Sequence, residues 1–340
     1  MRSSAASDVY KRQSVVIPTY NMEKYLSRCL DSMLEVNNKT ESLEIIIVND
    51  GSKDSSLAIA KEYERVFSGI VKVIDKNNGN YGSCVNRGIK EASGKYFRIL
   101  DADDTFKIGA LDKLLEYLSI SDEDMIVTQF SFLYDLTEKR ELIKANNVVY
   151  GKIYKEFDFS KGGNDNILSM HGITYKTTLL HDIALTLDEG VSYTDLEYVY
   201  FPLKSVASIK FLDIELYEYH IGREGQTVDP RSQVKSIGSF LTVTKRLVND
   251  YCCNFKSTSE ILMNNERITI NKIIYTTFKV ALVHCSKNKC YDTVLKDIYT
   301  KIKQTDNSVL WLKKQKIRPI VVLWDLTGIY YSKLKSFFKL

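Results

Sequence analysis

Residues 96–104 read Tyr96-Phe97-Arg98-Ile99-Leu100-Asp101-Ala102-Asp103-Asp104 (YFRILDADD), a strand-like apolar run that ends in three carboxylates within four residues. Two readings are open at this point. Aspartates favour turns and helix N-termini, where the side chain accepts backbone N–H bonds. Alternatively, the cluster is a divalent-cation site at the carboxyl end of a strand, where open α/β sheets place their ligands. The neighbouring segments decide between them.

Upstream, Ser14-Val15-Val16-Ile17-Pro18 is a β-branched run that stops at a proline, and it predicts a buried strand. Met22, Tyr25, Leu26, Cys29, Leu30, Met33 and Leu34 recur at helical spacing behind it, with Asn21 as the expected N-cap. Glu44 to Val48 predicts a second strand, which ends in the turn residues Asn49-Asp50-Gly51-Ser52 before a helix through Leu57, Ala60 and Phe67. Val71 to Ile74 and Phe97 to Leu100 predict the third and fourth strands, and Met125 to Phe132 a fifth; helices separate the first four. This alternation predicts an α/β domain with a mostly parallel sheet and helices on both faces. Parallel strands share their carboxyl ends, so Pro18-Thr19-Tyr20-Asn21, Asn49-Asp50-Gly51-Ser52 and Asp101-Ala102-Asp103-Asp104 are expected on one rim. Three polar clusters on one rim favour a binding site over three unrelated turns.

The pattern loosens over residues 150–230 and becomes helical from about 235 onward, which predicts a C-terminal helical subdomain. A length of 340 residues fits one large domain plus a smaller part. The apolar fraction of 44% excludes a disordered chain, and a net charge of +4, evenly interleaved, gives no argument for nucleic acid. The six cysteines form no C-x-x-C pair, so neither a zinc knuckle nor a disulfide framework is expected, and a reducing, cytoplasmic setting fits. Residues 1–13 have no continuous apolar stretch and are set aside as an extension.

A nucleotide diphosphate on this rim would call for a hard cation such as Mg²⁺ or Mn²⁺, for which aspartate oxygens are the usual protein ligands. Asp101 and Asp103 straddle one alanine and could point to one side. Tyr20 offers a ring for a base, and Asp50 an acceptor for the imide N–H of uracil.

Together, SVVIPTYNMEKYLSRCLDSML (14–34), EIIIVNDGSKDSS (44–56) and NNGNYGSCVNRGIKEASGKYFRILDADD (77–104) resemble the family 2 inverting glycosyltransferases, which have the Rossmann-like GT-A fold and use nucleotide sugars. The resemblance spans residues 14–230. It implies that Pro18, Tyr20 and Asp50 hold the nucleoside, that Asp101, Ala102 and Asp103 hold the ribose-diphosphate, and that Asp101 and Asp103 bind the metal, with Asp104 in support. The stretch YTDLEYVYFPL (193–203) resembles the family's base-bearing segment and implies Asp195 as the general base, with Thr194 where Glu is frequent. LYEYHIGREGQTV (216–228) resembles the basic loop over the diphosphate; Arg223 is the candidate phosphate contact. His220 is read either as a metal or phosphate contact or as an ordinary hydrogen-bonded histidine, and His171 as an acceptor-pocket or a packing residue. The arginine usual before the Asn of the third motif is Val85 here, with Arg87 and Arg98 as possible replacements.

The implied reaction is transfer from a UDP-sugar to a glycan or lipid-linked glycan in bacterial surface-polysaccharide synthesis. A nucleotidyltransferase and a catalytically silent sugar-nucleotide-binding protein are the alternatives. In the last segment, Ile320, Leu323, Trp324, Tyr331, Leu334 and Phe338 fall on one helical stripe beside Lys333, Lys335 and Lys339. That stripe suits either peripheral contact with an anionic membrane or packing on the catalytic domain or a second subunit.

Overall fold

In the computed structural model, residues 11–34, 40–223, 225–255, 259–308 and 317–331 are described. The chain alternates from the start: β1 (Gln13–Thr19), α1 (Leu26–Leu34), β2 (Leu43–Asn49), α2 (Ser56–Val66), β3 (Val71–Asp75), α3 (Asn80–Glu91) and β4 (Tyr96–Ile99). A short β5 (Thr105–Phe106) and α4 (Ala110–Leu118) lead to β6 (Met125–Tyr134), β7 (Lys139–Ile143), β8 (Ile153–Tyr154), β9 (Ile173–Lys176), α5 (Thr177–Asp182), α6 (Asp195–Tyr200) and β10 (Ile209–Ile221). The strands form one sheet in the order β3-β2-β1-β4-β9-β6-β10-β5, with β7 beside β6 and β8 beside β10.

β1, β2, β3 and β4 pair in parallel, as do β6 and β10. β9 runs antiparallel between β4 and β6, a connection the sequence reading did not anticipate. Every residue of β1 is buried, which explains its uninterrupted apolar run, since helices cover both faces of its sheet. Pro18 sits in this central strand at no cost in ladder bonds. Val16 accepts from Leu100 and so turns its polar groups toward β4; Pro18 shares that parity, but the β1–β4 register ends at Val16 and Ile99. One apolar core lies between the sheet and α1, α2 and α4, and the other between the sheet and α3, α5 and α6.

Two local expectations are corrected. The sheet begins before Ser14, because Gln13 opens β1 and the backbone carbonyls of Lys11 and Arg12 accept from Lys95 and Tyr96. Asn21 does not cap α1, which starts at Leu26. It adopts a left-handed φ of 55° and ties two rim loops together, donating its N–H to Ser52 Oγ (3.0 Å) and accepting from Lys53 N–H (2.8 Å).

The remaining helices are α7 (Pro230–Lys235), α8 (Ile237–Asn254), α9 (Glu260–Lys279), α10 (Lys289–Thr305) and α11 (Arg318–Thr327). They enclose a third apolar core. The helices dock on the sheet domain through the side chain of Asn265, which accepts from Phe159 N–H and donates to the Phe157 carbonyl, both at 2.8 Å. Trp324 lies at the centre of the third core, edge-on to Phe278 and Tyr299, and donates its indole N–H to Asp292 (2.8 Å). Of the aromatics on the expected stripe, Trp324 is therefore an internal residue and Tyr331 is partly buried; Leu334, Phe338 and the three lysines beside that stripe lie outside the described residues. No helix among the described residues is long and apolar enough to cross a membrane.

Candidate active site

The carboxyl ends of β1, β2 and β4 open into a cleft of about 310 Å³. Pro18, Tyr20, Asp50, Asp101, Ala102, Asp103 and Arg223 all line it, so the residues named for the nucleotide sugar meet in one place. The cleft also takes in Tyr81, Tyr219, Gln226 and Thr227, none of which the sequence motifs singled out.

At one end, Tyr20 is 45% exposed, which leaves its ring available for stacking. Asp50 lies deeper, at the end of β2, where its Oδ1 accepts from Gly79 N–H (2.9 Å) and Lys76 Nζ, and its Oδ2 from Asn80 N–H (2.9 Å). The Cys84 thiol also bonds this carboxylate, so a ligand N–H would have to share or replace one of these donors. The turn that brings these donors round Asp50 depends on Asn80 at φ 68° and on Gly51 at φ 70°.

At the other end stand the three aspartates that follow β4. Asp101 Oδ1 accepts from the Tyr81 hydroxyl (2.8 Å), while Asp103 Oδ2 accepts from Arg223 Nε (2.8 Å) and Gln226 Nε2 (3.4 Å). Arg28 of α1 holds the same turn by donating to the Asp103 carbonyl (2.7 Å). Asp104 is fully buried and accepts from the Tyr217 hydroxyl (2.6 Å) and His220 N–H (2.8 Å), so it fixes β10 to the turn. Burial, then the nearby Asp103 charge, pushes the Asp101 carboxyl up to about 7; Asp104 is raised well above the usual range for the same reasons. Buried oxygen donors under mutual repulsion suit a hard divalent cation, which would relieve both burial and repulsion. The donor set therefore fits the expected metal.

The structure does not bring His220 together with Asp101 and Asp103. Its Nε2 meets Thr105 Oγ1 (3.1 Å) and its Nδ1 meets Asp135 Oδ1 (3.0 Å). It is His171 whose ring lies near the aspartates: one ligand atom from each of Asp101, Asp104 and His171 falls within 4.8 Å of the others. The imidazole stacks on Tyr219 (4.7 Å between centroids) and bonds Ser169 Oγ through Nδ1 (2.7 Å); burial lowers its pKa to about 3 and keeps it neutral. Arg98 does not substitute for the arginine missing at Val85. It is buried beneath the site, bonded to Thr128, Thr174 and the His171 carbonyl, and Arg87 pairs with Glu91 on the outer side of α3. Among the described residues, Arg223 lines the cleft, while Lys76 and Arg28 reach its edge through Asp50 and the Asp103 carbonyl.

Asp195 opens α6 and is partly buried. Burial raises its carboxyl to about 6, against the opposing pull of the Asp195 and Leu196 backbone N–H groups. Its charge acts on both Asp101 and Tyr81, and the preceding Tyr193 bonds the carbonyl of Thr227 in the cleft wall (3.1 Å). Asp195 is not among the residues that line the cleft; it stands behind the wall, near enough for its charge to act on the lining residues Asp101 and Tyr81.

Comparison with known proteins agrees with this architecture. An uncharacterized glycosyltransferase of Mycoplasma pneumoniae is 26% identical over 272 residues, covering 79% of this chain and 84% of that protein. The minor teichoic acid biosynthesis protein GgaB of Bacillus subtilis is 36% identical over 104 residues, 31% of this chain and 12% of that protein. Among solved structures, S. aureus TarS (residues 1–349) in complex with UDP-GlcNAc superposes with a TM-score of 0.62 at 19% identity, over 94% of this chain and 93% of that one. The sheet domain is the GT-A architecture that the motifs implied, and the C-terminal helices are the helical region expected from periodicity. Residues 14–184, half of the chain, match Glycosyl transferase family 2, and the chain belongs to that family.

Proposed function

We propose that the protein is an inverting, metal-dependent transferase that moves a sugar from a UDP-sugar to a hydroxyl of a glycan or lipid-linked glycan. The observation that carries this reading is a single cleft with a base-binding end (Tyr20, Asp50), a diphosphate end (Asp101, Asp103, Arg223) and a separate carboxylate, Asp195, beside it. Tyr20 stacks on uracil, and Asp50 takes its imide N–H in exchange for one of its present donors. Arg223 exchanges its bond with Asp103 for the diphosphate, to which a guanidinium fork is well matched. Asp101 and Asp103 would hold the divalent cation, which when bound would neutralise charge on the departing diphosphate.

Asp195 takes the proton from the acceptor hydroxyl while that oxygen attacks the anomeric carbon and the bond to the diphosphate breaks. A single displacement inverts the configuration. A carboxylate raised to about 6 is largely ionised at neutral pH and is a stronger base than an ordinary aspartate. An adjoining opening of about 600 Å³ shares Arg223 and Gln226 with the donor cleft. UDP as the nucleotude is supported by the UDP-GlcNAc complex of TarS, and a surface-polymer acceptor by the likeness to the teichoic acid protein.

The test is UDP or other nucleotide release from a panel of UDP-, GDP- and CMP-sugars, with and without Mn²⁺. Release from a UDP-sugar that requires the metal is the expected result. Release from GDP- or CMP-sugars alone, or equal release in excess chelator, contradicts the reading.

A further inference from the structure

The segment that carries Asp195 is held from two sides, and one of them belongs to the C-terminal helices. On the sheet side, Asn86 of α3 bonds the 187 backbone in both directions, accepting from Leu187 N–H (2.8 Å) and donating to its carbonyl (2.9 Å). Gly190 N–H reaches the Gly79 carbonyl (2.8 Å). Gly82 allows this close seating, because a Cβ there would collide with the Asp188 carbonyl oxygen.

From the other side, Arg246 of α8 reaches across. Its Nη1 donates to Asp188 Oδ1 (2.7 Å) and Glu197 Oε2 (2.9 Å), its Nη2 donates to the Thr186 carbonyl (2.8 Å), and its guanidinium lies 4.7 Å from the centroid of the Phe201 ring. Glu197 stands two residues after Asp195 in α6 and is fully buried; its Oε2 also accepts from Asp188 N–H (2.7 Å), and its Oε1 has no partner. A buried carboxylate is costly unless paired, and Arg246 is the cation that pairs it. Burial raises the Glu197 carboxyl to about 7, against the opposing pull of the Asp188 N–H and the Arg246 guanidinium.

We propose that Arg246 is a positioning residue for catalysis: reaching in from the C-terminal helices, it clamps the 186–197 segment at Thr186, Asp188 and Glu197 and so sets the place of Asp195 at the cleft. The inference rests on Asp195 being the base. It gives the helical region a part in the reaction, since α8 presents the guanidinium from a helix packed in the third core. A planar fork with several donors can satisfy three acceptors at once, which a lysine ammonium on a flexible stem cannot do in the same geometry.

The experiment compares full-length Arg246→Met, Arg246→Lys and Asp195→Asn by steady-state kinetics and by UDP calorimetry in Mn²⁺. Misplacing a catalytic group by about 1 Å costs roughly a hundredfold, so Arg246→Met is expected to lower kcat by about ten- to a hundredfold and Arg246→Lys by less, with donor KM and UDP affinity within about twofold of the parent. If Arg246→Met does not fold, Arg246→Lys decides alone. A parental kcat in a soluble Arg246 variant overturns the proposal, as does a loss of UDP affinity parallel to the loss of kcat, which would mark a general disturbance of the cleft. An active Asp195→Asn enzyme instead overturns the base assignment on which the inference rests, whatever the Arg246 variants do.

Discussion

Asp195 and Asp101 are both aspartates raised by burial, yet their neighbours differ. Asp101 has Asp103 beside it and accepts from Tyr81, whereas backbone N–H groups are what oppose burial at Asp195. The sign of the pH dependence follows from the second case. A base must be ionised to accept a proton, and a carboxyl near 6 is protonated below that value, so kcat at saturating donor and metal is expected to fall tenfold per pH unit as the pH drops well below about 6. A pH profile flat down to about 4.5 would contradict that role. Other residues at the site were hidden from the sequence for a physical reason. Arg28 and Tyr81 sit on helices whose spacing reports only which face is buried; their contacts with the 101–103 turn arise from how those helices pack. His220 was read as part of a loop, but it lies near the end of β10, and its two ring nitrogens are taken by Thr105 and Asp135, partners that the motif alone did not specify.

At the scale of elements, β1, β2 and β4 were legible because strands buried on both faces need mostly apolar residues, and each ended in polar residues that the shared rim required; β3, at the sheet edge with Lys72 exposed, was legible from its β-branched residues. β9 was not, since Ile173–Lys176 is four residues long and looks like any short apolar piece; only its pairing with β4 and β6 gives it meaning. α11 shows the same limit in reverse. Its apolar stripe was visible in the sequence, but the partner of a stripe is not, and Val321 and Trp324 face the third core. Trp324→Ala is accordingly expected to cost about 3–5 kcal/mol of stability, the range for removing a large buried aromatic. Urea unfolding checks this, and a loss below about 1 kcal/mol would mean that α11 contributes little to the helical core.

For the molecule as a whole, the sheet rim gathers one charge pattern and the helices hold one edge of it. Asp50, Asp101 and Asp103 come from the ends of two strands, Arg223 from the loop after β10, and Asp195 from a segment between α3 and α8. That division of labour predicts a division of phenotypes: groups on the strand ends serve binding, and the carboxylate on the clamped segment serves the chemical step. The most direct measurement is calorimetric titration of UDP in the presence and absence of Mn²⁺ into the parent, Asp103→Asn and Asp195→Asn proteins, with transfer assayed on the same preparations. The account predicts that Asp103→Asn loses the metal-dependent part of UDP affinity and that Asp195→Asn binds UDP like the parent while losing about a hundredfold or more in turnover. Unaltered metal-dependent UDP binding in Asp103→Asn, or parental turnover in Asp195→Asn, would contradict it.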